Sequence, residues 1–119
     1  MIHEEICTYE VCKLANEKGF PVKEIECWYC EYDGRPTKEI IDEQQHPIIT
    51  QSLLQRWLRE EKGYYVYPFF DNESRRWTWV CRELTGDKWI QLLDFEERYF
   101  DTYELALEDA LKYALEKFI

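Results

Sequence analysis

Cys27-Trp28-Tyr29-Cys30 is the one stretch whose residue types and spacing carry recognisable chemistry. Two thiolates three residues apart can grip one edge of a zinc ion, but a structural zinc site takes four ligands. The available partners, Cys7, Cys12, His3 and His46, supply no second C-x-x-C and no H-x-x-x-H. Redox work needs a thiolate of lowered pKa, usually at a helix N-terminus, whereas this segment reads as a strand running into a turn. The cysteines number five, with Cys81 the last. An odd count with no secretory signal ahead of it is not a disulfide framework. The expectation is packed, free thiols, with no metal and no cofactor.

Catalytic groups are equally scattered. Ser52 and Ser74 are the only serines, one in a helix first turn and one in a tight turn, and neither sits among nucleophile-elbow glycines. His3 lies at a terminus and His46 precedes a proline. The pairs Glu60-Glu61 and Glu96-Glu97 are sequence neighbours on solvent faces or loops, so they do not converge on one substrate. The four glycines are each spent on a stop or a turn, which leaves none for a phosphate loop. The chain is therefore read as a binding protein and not as an enzyme.

The aromatic strands hold the better candidates. Alternation puts Tyr65, Tyr67 and Phe69 on one side of their strand, and Trp77, Trp79 and Cys81 on one side of the next. Tyr65, Tyr67, Trp77 and Trp79 are expected to share one sheet face, with Arg75 and Arg76 beside them. Such a face has three uses: core under helices, a protein interface or homodimer contact, or a platform for stacking bases. The binding candidates are Tyr65, Tyr67, Trp77, Trp79 and Arg76, joined by Arg56 and Arg59 on the outside of the preceding helix.

Elements must position these residues, and the clearest lies at 49–63. Thr50 is the N-cap, Ile49 and Leu54 form a hydrophobic staple, and Gly63 is the stop. Leu53, Leu54, Trp57 and Leu58 make the apolar stripe; Gln51, Gln55, Arg56, Arg59 and Glu60 face water. Tyr64 to Phe70 follows as a strand that Pro68 either confines to a sheet edge or ends. After the turn Asp71-Asn72-Glu73-Ser74 come strands at 76–84 and 89–93. Earlier, residues 8–20 read as a short helix capped by Thr8 and ended by Gly19. Cys27 to Tyr32 and Thr37 to Ile41 read as a hairpin about Asp33-Gly34-Arg35-Pro36, and 42–47 as a loop. The last helix begins at Asp101 or Thr102. Its buried stripe is Tyr103, Leu107, Ala110, Leu111, Ala114, Leu115 and Phe118, and Glu108 pairs with Lys112 on its outer face.

This order predicts an α+β fold: an antiparallel sheet, made of a three-stranded meander plus an N-terminal hairpin, covered on one face by three helices. At 119 residues with 45% apolar content the chain is expected to form one domain spanning 1–119. No run approaches the roughly 18 apolar residues of a membrane span. Acids stand where a signal peptide would carry bases, so a soluble, cytoplasmic protein is expected. The net charge of -10 is evenly spread, with 13 acids against 8 bases in residues 1–62 and 12 against 7 in 63–119. Phosphate backbones are held by clustered Lys and Arg, so nucleic acid is a disfavoured partner. Another protein, or a second copy of the chain, suits this surface better.

Thr50-Gln51-Ser52-Leu53-Leu54-Gln55-Arg56-Trp57-Leu58-Arg59-Glu60, then Tyr65-Val66-Tyr67, and Phe100-Asp101-Thr102-Tyr103-Glu104-Leu105-Ala106-Leu107-Glu108 resemble a group of small phage- or prophage-encoded proteins of anaerobic gut bacteria. Thr8-Tyr9-Glu10 with Leu14, Gly19 and Phe20 is similar too, and residues 21–47 match loosely. The Cys27/Cys30 pair is no part of that pattern. The resemblance implies no activity, cofactor or catalytic residue. It fits a small acidic accessory protein acting by contact with another protein, in one variant by mimicking nucleic acid. The alternatives are single-strand nucleic-acid binding through the aromatic sheet, or an enzyme with a dispersed site.

Overall fold

The computed structural model describes residues 5–21, 28–29, 36–37, 46–85, 88–92 and 98–119, with 28–29, 36–37, 46, 84–85 and 88–92 described as backbone alone. The Cys27 and Cys30 pair, the Asp33-Gly34-Arg35 turn and the Glu96-Glu97 pair lie outside the described residues. The fold is α+β, an antiparallel sheet with three helices.

Helix α1 (Tyr9–Glu17) starts where Thr8 caps it, its hydroxyl accepting from Val11 N–H. It ends in paired bonds, Phe20 N–H to Ala15 O and Gly19 N–H to Asn16 O, across Gly19 at φ 99°. That left-handed turn satisfies the last carbonyls and folds Phe20 back into the core, where it is 5% exposed. Cys7 and Cys12 meet beside this helix, both fully buried. Cys12 Sγ accepts Ile49 N–H at 3.5 Å, and Cys7, hydrogen-bonded to Cys12 and buried, has its thiol pushed far up. Cys7, Cys12 and Cys81 form no disulfide with one another.

A small sheet follows. Strand β1 (Trp28–Tyr29) pairs antiparallel with β2 (Pro36–Thr37) on one side and with β3 (His46–Pro47) on the other. The hairpin expected about residue 34 thus has its described rungs, Trp28 with Thr37 and Tyr29 with Pro36. Residues 46–47, expected in a loop, are instead a strand. Pro47 lacks an N–H and looks unlike a strand residue, but its side chain is buried against the core and that packing holds it in line.

Helix α2 (Gln51–Trp57) continues into a π-helical turn (Leu58–Lys62) closed by Gly63 at φ 77°, whose N–H bonds Leu58 O five residues back. Thr50 is the N-cap, accepting from Leu53 N–H at 3.2 Å. Both staple residues, Ile49 and Leu54, are fully buried. The stripe is rotated from the expected one: Leu53 is 43% exposed and Gln51 only 4%. Gln51 earns its place by donating to Glu104 O (2.9 Å) and Glu108 Oε2 (2.8 Å) on the last helix.

Strands β4 (Tyr64–Asp71) and β5 (Arg76–Thr85) form a hairpin with Tyr64 opposite Glu83 and Asp71 opposite Arg76. The backbone of β6 (Lys88–Leu92) lies along the far half of β5, Cys81 opposite Leu92. β4 is therefore an edge strand. Gln55 Nε2 donates to Val66 O from outside the sheet, so the backbone groups of even-numbered β4 residues point to the free edge. Pro68 is one of them, and its missing N–H costs the sheet no ladder bond. In the connecting turn Asp71 Oδ2 accepts Ser74 N–H and Arg75 takes φ 60°.

Helix α3 (Tyr103–Lys117) is capped by Thr102, the second of the two expected residues. It buries Ala106, Leu107, Ala110, Leu111, Ala114 and Leu115. Each buried leucine contributes roughly 1.5–3 kcal/mol. The expected stripe holds except at its start, where Tyr103 is 39% exposed. Glu108 does not pair with Lys112. It accepts Thr8 N–H at 2.7 Å and the Gln51 amide, tying α1 and α2 to α3, while Lys112 reaches Glu10 at 2.9 Å. The core runs from α1 through α2 and α3 to Val66, Trp79 and Cys81 of the sheet. No described helix is long and apolar enough to cross a membrane.

Candidate interaction surface

Register decides which aromatic residues share a face. Directly opposed residues of an antiparallel pair point the same way, and here Pro68 faces Trp79 and Phe70 faces Trp77, while Tyr65 faces Arg82 and Tyr67 faces Val80. The expected grouping of Tyr65, Tyr67, Trp77 and Trp79 on one face is therefore wrong. The two tryptophans lie on the α3 side; the two tyrosines lie on the other.

The α3 side is structural. Trp79 is 6% exposed, its indole N–H donating to Asp109 Oδ2 at 2.8 Å. Asp109 also holds Arg98 at 3.2 Å, and Arg98 lies over Tyr113, whose ring is 5.1 Å from Trp79. Tyr113 touches Phe118, which stacks on Tyr64 at 5.2 Å. Trp77 is half-buried between Phe70 and Tyr103, each edge-on at 5.4 Å. Trp79, so buried, offers no open ring face for a base.

The opposite face carries Tyr65 and Tyr67, half-buried, with ring centroids 5.0 Å apart. Each is overlaid by a guanidinium. Arg59, from the π turn, stands 5.6 Å from the Tyr65 centroid, and Arg82, from β5, stands 5.7 Å from that of Tyr67. Arg82 Nε is buried and has no hydrogen-bond partner among the described residues. Phe69, on the same face as the tyrosines by alternation, is 40% exposed. The result is a tyrosine–arginine patch, aromatic and locally cationic on an acidic chain.

Of the residues singled out from sequence, Tyr65, Tyr67 and Arg59 come together here. Arg56 does not: it is exposed and paired with Glu60 at 3.1 Å. Arg76 shares the tyrosine face by register but stands at its far end, exposed near the hairpin tip and bridged to Asp101 at 3.2 Å. Arg82 is the residue that sequence reading missed. Its signal was available, because a loop of four residues between Asp71 and Arg76 pairs odd-numbered residues of β4 with even-numbered residues of β5. That parity sets Arg82, and not Trp77 or Trp79, beside the tyrosines.

Among the described residues no three His, Cys, Asp or Glu side chains are grouped to hold a metal ion. Compared with protein-family models, curated proteins and solved structures, the chain matches none.

Proposed function

We propose that the protein is a small accessory protein that works by contact with another protein, through the tyrosine–arginine face of its sheet. One observation carries this reading: Tyr65 and Tyr67, each overlaid by an arginine, lie on the sheet face that α3 does not cover. Tyrosine and arginine are the side chains enriched where protein interfaces concentrate their binding energy. In this reading β4, β5 and β6 act as one three-stranded meander presenting its far face. The accessory role also agrees with the resemblance to phage-encoded proteins.

Contact is favoured over mimicry of nucleic acid because Glu10, Glu60, Asp101, Asp109 and Glu116 each face a cation, which breaks up any row of bare carboxylates. The test is affinity capture from a bacterial lysate at low and high salt, run in parallel with Tyr65→Ser/Tyr67→Ser and Arg82→Gln variants that retain the wild-type melting temperature. A partner held by the wild type and lost from the variants is the expected result. Self-association that the same variants abolish identifies the partner as a second copy. Retention of every captured protein by the variants overturns the assignment. A shift of labelled single-stranded DNA or RNA that the variants abolish replaces it with nucleic-acid binding.

A further inference from the structure

A cleft of about 480 Å³ lies between the end of α1 and the π turn, with Phe20, Leu53, Trp57, Glu60, Glu61 and Lys62 in its walls. This is within the size range of small-ligand sites. Its floor is aromatic, Phe20 meeting Trp57 edge-on at 5.4 Å. Its rim is acidic: Glu60 is shared with Arg56 and Arg59, and Glu61 makes no ion pair among the described residues. Over the Trp57 ring, 5.3 Å from its centroid, stands the Nζ of the chain's own Lys62.

We propose that this cleft binds an organic cation on an apolar stem, an alkylammonium or alkylguanidinium group, with Lys62 as a tethered competitor. The indole face attracts a cation through its quadrupole, Glu61 supplies a counter-charge without a partner of its own, and Leu53 and Phe20 receive the stem. Lys62 displays that chemistry in place, since it is an ammonium on a four-carbon stem. It is exposed to solvent, so it exchanges freely with an incoming cation. The site is separate from the tyrosine–arginine face, and its test does not depend on that face.

The experiment follows the Trp57 indole N–H by NMR in the full chain, assigned through Trp57→Phe. Butyltrimethylammonium, a short lysine-containing peptide and the neutral isostere 3,3-dimethylbutanol are titrated in turn. Both cations are expected to shift the resonance saturably and the neutral isostere to leave it in place. Lys62→Ala is expected to tighten binding about two- to fivefold and Glu61→Gln to weaken it by a similar factor, the range of an exposed cation–π contact. Tighter binding of the peptide than of the free ammonium assigns the ligand to a protein side chain; the reverse assigns it to a small molecule. The absence of a saturable shift in Lys62→Ala, where the competitor is gone, overturns the proposal. So does equal binding of the neutral isostere.

Discussion

At the scale of single residues, Glu108 is the side chain on which most depends. Its carboxylate takes the Thr8 N–H and the buried Gln51 amide, so one group joins the starts of two helices to a third. Glu108→Ala releases the exposed Thr8 N–H to water and leaves the buried Gln51 amide with Glu104 O alone, a loss of about 0.5–1.5 kcal/mol for each bond removed. Urea denaturation should show a loss of about that size, and Gln51→Leu in the same background should restore part of it by removing an amide that is then only half-satisfied. Cys81 sets a pH dependence. Burial, with a smaller contribution from Glu83, pushes its thiol from 9.0 up to about 12. The unfolded chain gives up this proton near pH 9 and the folded chain keeps it, so the contribution is whole below pH 9 and disappears as pH rises towards 12. The stability difference between wild type and Cys81→Ala should therefore narrow steadily above pH 9 in denaturation series, and the thiol should resist modifying reagents at pH 8 in the folded state.

At the scale of elements, the passage from α2 to β4 is the most specialised piece of backbone. The π turn carries one more residue per turn than an α-helix would. It keeps Leu58 fully buried while bringing Arg59 to Tyr65 and Lys62 to Trp57. Gly63 then reverses the chain at φ 77°, where a Cβ would meet nothing within 4 Å. The cost of Gly63→Ala is thus conformational and not steric, about 1 kcal/mol, and Gly63→Asn should cost less because Asn tolerates the left-handed region. Thermal melts of the two variants would separate them. A clash-like loss well above that figure in Gly63→Ala would show that the turn is packed against something further.

At the scale of the molecule, the sheet divides the protein into a face that α3 covers and a face that α3 does not. Leu111, fully buried in the core under α3, should cost about 2–5 kcal/mol on replacement by alanine. Tyr67→Ala, which removes a ring that is only half-buried and one tyrosine–arginine overlay, should cost less, about 1–2 kcal/mol. Guanidine denaturation of both variants tests that asymmetry directly. Comparable losses from the two would mean that the tyrosine face is a second core and not a surface for a partner.

Caps, stops and the long helix were legible in the sequence because each rests on contacts within one turn of the chain: Thr8, Thr50 and Thr102 bond their own first turns, and Gly19 and Gly63 take the conformation that only their missing side chains make cheap. Pro68, which lacks an N–H, left two readings open, an edge strand or a strand end, and the strand order decides for the edge. Tertiary structure decided what local pattern cannot. It turned Gln51 inward because Glu108 was waiting across the core, turned Leu53 outward to wall a cleft, and made a strand of His46–Pro47 because a partner strand lay alongside. The candidate site stands between the two cases. Alternation fixed that Tyr65 and Tyr67 share a side, but only the pairing register, set by the length of the turn, put Arg82 beside them and sent Trp77 and Trp79 to the opposite face.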